Sequence, residues 1–571
     1  MPESPRLLLV LIALATLLAL PMNATGEPKI IADLVIVNAK IWTNDAMTPE
    51  ATALACRDGL IVAVGDDQAV RSMIGDETKI IDANGARTLP GLIDAHAHLE
   101  SAGKSLGWLA LRDVTSKRAM LEMVHDAAAE LDDGAWIYGR GWSAEGWDDP
   151  EPPTADELGS AAGGHPTILV RMDGHQLLAS RRALELAGID ETTQSPPGGK
   201  IGKLPNGQPS GEIYEEAQAL IYRVTPNSRK NPELSERALV AAATECVRNG
   251  ITQVGAIESP DAIEAMARLD AKGQLPIRVG ATVHISDDTI DEWRPVLEWA
   301  LRNRNMSNRV KVLGFKGFVD GSLGSRTAWM MSPYDDNPHD EDPNNAGFPL
   351  AMAGDGTMPE LILLGASMGL QPIMHAIGTR ANNELLNWYE QIPENTRRRI
   401  RPRVEHAQHV LDADIERFAQ LGVIPSMQPL HKADDGRYAG ERMSAARLRS
   451  SYAFRDFVDQ EAGLAFGSDW PVVSVNPFLG IHAAVSAQTM DGGTFLPEQS
   501  ITVEESLRAY TTGASKALHS ETYTGALRVG WSADLIILDR DILDESMHID
   551  DVKETTVTTT TVGGEVVYSA N

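Results

Sequence analysis

Through the middle of the chain, short apolar runs alternate with longer stretches patterned like amphipathic helices. The runs are Gly91–Leu99, Ile251–Ile257, Ile277–Val283, Val310–Val319, Leu370–His375, Pro402–His406, Val423–Met427 and Leu464–Gly467. Helix-like stretches such as Glu233–Asn249 and Asp412–Leu421 lie between them. Apolar strands spaced by helical patterns predict βα units and a parallel sheet. Eight such units predict a TIM (β/α)8 barrel, an α/β fold that gathers its chemistry at the C-terminal ends of its strands.

The two ends of the chain read differently. Leu34–Val37, Ala53–Cys56 and Leu60–Val64 are short β-type runs, with Arg57-Asp58-Gly59 as a hairpin turn. Ala533–Leu538, Thr555–Val562 and Glu565–Tyr568 repeat that character near the C-terminus. This predicts a small composite β-sandwich domain from residues 27–88 and 522–571, attached to a barrel over 89–521. The stretch from Leu106 to Glu233 exceeds any single connection and predicts an inserted subdomain or lid at about 106–233.

Arg6, the apolar run Leu7–Leu20 and the small residues Ala24 and Gly26 read as a signal peptide over residues 1–26. Export to the periplasm or medium is the expectation, with an uncleaved anchor as the alternative. No other segment approaches about 18 uninterrupted apolar residues, so no stable membrane span is expected in the mature form.

Composition narrows the partners. With 80 acidic against 50 basic residues the net charge is −30, which repels nucleic acid. A small-molecule substrate is expected, and a homodimer is left open. Two cysteines, Cys56 and Cys246, exclude a disulfide scaffold and a Cys-rich zinc module. Any bound metal therefore depends on histidines and carboxylates.

Such residues stand where a barrel would use them. Asp94-Ala95-His96-Ala97-His98 ends the first core strand, and alternate strand residues share a face, so His96 and His98 can address one metal. His375 ends the fifth strand, His406 the sixth, and Asp469 follows the eighth. All converge on one rim of the expected barrel. Taken alone, the His-x-His pair is a weak signal and reads more readily as two solvated strand-end residues; the further residues shift the balance to a metal. Near-motifs elsewhere fail: Gly103-Lys104-Ser105 has His98 where a phosphate loop needs glycine, and no His-Glu-x-x-His occurs. His409 reads as a helix-face residue, and Cys246 as core.

The motifs Leu89–His98, Gly139-Arg140-Gly141-Trp142, Asp173-Gly174-His175, Gly314–Arg326, Glu405-His406-Ala407, Gly467-Ser468-Asp469 and Gly530–Leu535 run in one order across the chain. They resemble the amidohydrolase superfamily of metal-dependent barrel hydrolases, specifically the family 3 branch that includes N-substituted formamide deformylases. The resemblance implies a metal site of His96, His98, Lys316, His375, His406 and Asp469, holding one or two divalent ions, with Zn2+ expected. An ammonium cannot bind a cation, so Lys316 is expected as the N6-carboxylated form, whose carbamate offers two anionic oxygens. An ordinary lysine neutralising Asp320 is the alternative. Thr379 stands where the family pattern has Asp, and Ser180 where it has Asn.

The expected activity is hydrolysis of an amide, N-acyl or N-formyl C–N bond. A metal-activated hydroxide attacks, and Asp469 serves as general base and then acid. His175 and Arg326 are candidate contacts for the substrate or oxyanion, and Trp142 a candidate pocket wall. Ester or lactone hydrolysis on the same site remains open, as does a non-catalytic exported binding protein.

Overall fold

The computed structural model describes residues 30–144, 147, 149–226, 232–285, 290–336 and 343–570. The expected signal peptide lies outside them. Among the described residues, no helix is long and apolar enough to cross a membrane.

Eight parallel strands form the core: β1 (Leu92–Ala97), β2 (Ile251–Glu258), β3 (Arg278–His284), β4 (Val310–Phe318), β5 (Gln371–Ala376), β6 (Arg403–His406), β7 (Ile424–Met427) and β8 (Ala465–Phe466). They pair in sequence order, β1 beside β2 and so on to β8. An isolated parallel bridge between Ala97 and Trp470 joins the last strand region to the first, nearly closing a TIM barrel. Each of the eight expected runs matches one strand to within two residues at either end, because strands buried on both faces read as largely apolar segments.

Helices such as Pro232–Arg248 and Asp412–Leu421 cover the outside. Inside, Ile93, Ala95, Ile424 and Ala465 pack against Ala514, Ala517 and Leu518 of the chain after β8, filling one part of the barrel. A Cβ on Gly255 would lie 2.1 Å from the Ala95 carbonyl oxygen, so this β2 position admits no side chain.

Two further sheets combine the chain ends. One has the order Leu60–Gly65, Ala53–Arg57, Leu34–Val37, Lys79–Asp82. The other runs Glu565–Ser569, Val557–Val562, Leu535–Leu538, Arg87–Pro90, Lys40–Trp42, Glu50–Ala51. Leu34, Ile36, Leu54 and Cys56 of the first pack with Ile41, Leu535 and Ile537 of the second. Asp58 and Gly59 have φ of 50° and 80°, the left-handed pair that a two-residue hairpin needs. Arg278 of β3 grips Asp534 at 2.7 and 3.1 Å, tying the barrel to this sheet pair.

Between β1 and β2 the chain builds a six-stranded sheet in the order Gly199–Lys203, Pro209–Glu215, Gln176–Ala179, Thr167–Arg171, Ile137–Trp142, Leu109–Ala110. It has its own apolar core, including Ile168, Val170, Leu177 and Ile213.

Candidate functional site

At the C-terminal ends of the strands lies a cavity of about 300 Å³ whose walls include His96, His98, Lys316, His375, His406 and Asp469. All six residues given by the sequence motifs therefore meet in one place. The strand ends bring them there: His96 belongs to β1, Lys316 to β4, His375 to β5 and His406 to β6.

Each histidine has one ring nitrogen anchored. Nδ1 of His96 meets Glu405 Oε2 at 2.5 Å, and Nδ1 of His98 meets the Ile257 carbonyl at 3.2 Å. Nδ1 of His406 meets Gln428 Oε1 at 2.8 Å, and Nε2 of His375 meets the Gly321 carbonyl at 3.0 Å. Each acceptor fixes the tautomer, leaving the other nitrogen with a lone pair for a cation. Burial drives His375 and His406 well below the ordinary histidine value, and lowers His96 to about 4.

Asp469 Oδ1 lies 3.3 Å from Nε2 of both His96 and His98. Bonds of about 2.0–2.1 Å in a tetrahedral zinc site place neighbouring donors roughly 3.3 Å apart. The buried Nε2 of His96 has no hydrogen-bond partner. These donors fit a divalent cation. Burial alone would raise Asp469, but the surrounding imidazoles of His96, His98 and His406 hold it well below the usual carboxylate range.

Lys316 is fully buried and its Nζ has no hydrogen-bond partner, lying 4.6 Å over the Phe318 ring. Burial lowers it to about 8. It does not neutralise Asp320, whose carboxylate instead accepts the N–H groups of Ile377, Gly378 and Trp329 at 2.8–3.0 Å. Asp320 thus ties the loop after β4 to the loop after β5.

Beneath the site, Asp94 accepts hydrogen bonds from Ser468 N–H and His96 N–H at 3.0 Å and from Ser468 Oγ at 2.5 Å. Burial raises its carboxyl to about 6. A Cβ on Gly467 would sit 2.6 Å from the His96 nitrogen, so only glycine lets β8 close this tightly on β1.

Some expected positions differ. Arg326 is absent from the cavity wall; its guanidinium is held by Asp336 at 2.8 and 3.2 Å, so it braces the loop after β4. Trp142 is buried in the core of the inserted sheet, with Nε1 donating to the Leu169 carbonyl at 2.8 Å. Its indole satisfies that core and does not line the pocket. His409 lies on no helix face: it is buried in the connection after β6, with Nδ1 2.7 Å from Ser451 Oγ. Thr379 Oγ1 accepts the Met331 N–H at 2.9 Å, and Ser180 caps the helix Arg181–Ala187.

His175 does line the cavity. Burial opposes its charge, but Glu215 Oε2 at 2.8 Å, with Asp173 and Asp320, lifts it to about 9. The sequence reading missed Glu405 and Gln428 as supports. It also missed His431, stacked on His406 with ring centroids 5.8 Å apart and Nε2 3.9 Å from Asp469 Oδ2. The available signal was Gln428 and His431, two polar residues just past the end of a strand. His406, His431 and Asp469 form a second group of closely spaced donor atoms beside His96, His98 and Asp469.

Known proteins place this architecture. The amidohydrolase family model matches residues 79–568. The protein LONG AFTER FAR-RED 3 of Arabidopsis thaliana is 33% identical, with 96% of this chain and 93% of that protein covered. The N-substituted formamide deformylase of Arthrobacter pascens is 26% identical, with 94% and 98% covered. An uncharacterized metal-dependent hydrolase from Pyrococcus horikoshii OT3 superposes with a TM-score of 0.71 at 27% identity, covering 90% of this chain and 98% of that one. With the family model matched over residues 79–568 and a 33% identical relative matched over 96% of the chain, the chain belongs to the amidohydrolase family.

Proposed function

We propose that the protein hydrolyses an amide-type C–N bond, in an N-acyl or N-formyl amine, at a divalent metal site. The observation that carries this reading is the four-histidine set, each ring anchored by one nitrogen and open at the other. His96, His98, His375, His406 and Asp469 would hold zinc, with Lys316 joining as its carbamate. The buried, unpartnered Nζ of Lys316 supports that modification. A cation there supplies Lewis acidity and makes water more acidic at neutral pH.

The chain's own residues supply the rest. Asp469, held ionised, takes the proton of the attacking water and returns it to the leaving nitrogen. His175, charged through Glu215, faces the carbonyl oxygen as negative charge develops on it. Arg6 and the apolar run Leu7–Leu20 support export.

The test is turnover of matched chromogenic N-formyl and N-acetyl arylamides and aryl esters by zinc-loaded protein, before and after chelation. Amide turnover that chelation abolishes and zinc restores is expected. Ester turnover without amide turnover would reassign the reaction, and metal-loaded protein inert to both would leave a binding protein.

A further inference from the structure

Arg140 stands where two cavities meet. It lines the 300 Å³ site and also a neighbouring groove of about 1640 Å³ between the barrel and the inserted sheet. Gly174, Ser101 and Pro471 border both spaces as well. A Cβ on Gly174 would come within 3.3 Å of Arg140 Nη2, so the glycine leaves room beside the guanidinium.

The charge of Arg140 is unanswered by an ion pair. Its Nε donates to the Pro471 carbonyl at 3.1 Å, and no carboxylate lies within ion-pair distance among the described residues. Nearby arginines differ: Arg171 has Asp173, Arg326 has Asp336, Arg437 has Asp434 and Arg442 has Asp336. Asp173, close by, is already occupied by Arg171, Ser322 Oγ and the His175 N–H. Asp469 and Asp173 act on Arg140 only from beyond ion-pair distance, so its guanidinium faces the cavity with N–H donors to offer an anion.

Size points the same way. The metal-site cavity is at the lower limit for a small ligand, while the groove holds several times more. Trp108, Tyr138 and Trp136 wall that groove, stacked with centroids 5.2 and 6.1 Å apart. Tyr222 borders it beside Arg140.

We infer that Arg140 recognises a carboxylate on a two-part substrate, whose scissile amide sits in the metal-site cavity and whose arm runs into the aromatic-walled groove. The inference rests on the hydrolase reading above for the identity of the scissile group. A single guanidinium suits a singly charged carboxylate, since the more highly charged phosphate is usually met by several donors.

The test uses zinc-loaded protein and twin compounds that differ only in a terminal carboxylate or primary amide. N-acetyl-5-aminopentanoate and N-acetyl-5-aminopentanamide, with longer and shorter homologues, report hydrolysis. The ketone isosteres 7-oxooctanoate and 7-oxooctanamide, with the same homologues, report binding through tryptophan fluorescence. At the best chain length the carboxylate should be favoured about 100-fold in both readouts. Arg140→Gln should bring the twins to near equality, and Arg140→Lys should fall between. A wild-type protein indifferent to the carboxylate at every length overturns the inference, as does Arg140→Gln that keeps the preference. Hydrolysis of both twins without preference rejects the subsite and keeps the hydrolase. Ketone carboxylate bound through Arg140 without hydrolysis of either amide keeps the subsite and rejects the hydrolase.

Discussion

Glu405 accepts a hydrogen bond from Nδ1 of His96 at 2.5 Å, joining β6 to β1 across 309 residues of chain. Arg403, also buried, holds the other carboxylate oxygen at 2.8 Å. Against burial, which pushes the carboxyl up, Arg403 and His96 bring it down to about 2. Glu405 thus stays charged and keeps His96 in the tautomer whose Nε2 faces the cavity.

Glu405→Gln keeps the shape but weakens this orientation. Zinc affinity should fall about 10- to 100-fold, measured by competition with a chromogenic chelator. Wild-type affinity in the variant would show that His96 needs no such support.

Asp469→Asn separates binding from chemistry. The amide can still offer an oxygen to a cation but cannot accept the proton of the attacking water. Turnover should drop by about 10²–10⁴ while at least one zinc per chain is retained by elemental analysis. Full activity with metal bound would send the proton by another route.

His96→Ala and His98→Ala should each lower metal content, because each removes a donor within 3.3 Å of Asp469. His409→Ala should leave metal content at the wild-type level, since that ring faces Ser451. Metal analysis after gel filtration distinguishes them, and equal losses would refute the choice of His406 over His409.

Glu258 gives a signed pH effect. At the end of β2 it accepts the Glu100 N–H at 2.9 Å, and burial raises its carboxyl from 4.5 to about 8. The stability gained from its proton is complete below pH 4.5 and is lost as pH rises through about 8. Glu258→Gln keeps the acceptor oxygen and removes the titration. Its Tm relative to wild type should therefore climb from about pH 5 to pH 8. A constant difference across that range would place the Glu258 carboxyl at its ordinary value.

The sequence by itself determined the eight strands, since strands packed on both faces are rich in apolar residues, and that pattern is local. It determined that His96 and His98 share a face, because strand periodicity is fixed by the backbone. It also put His375, His406 and Asp469 at strand ends, which a barrel brings to one rim. Only the tertiary structure decided what each side chain meets. Glu405 is adjacent to His406 in sequence yet serves His96, and Arg326 sits in a site motif yet turns to Asp336. Trp142 is spoken for by the core of the inserted sheet, while its near neighbour Arg140 is left facing two cavities. Periodicity encodes which face of an element is buried; contacts between distant segments depend on the packing of whole layers, which no local pattern carries.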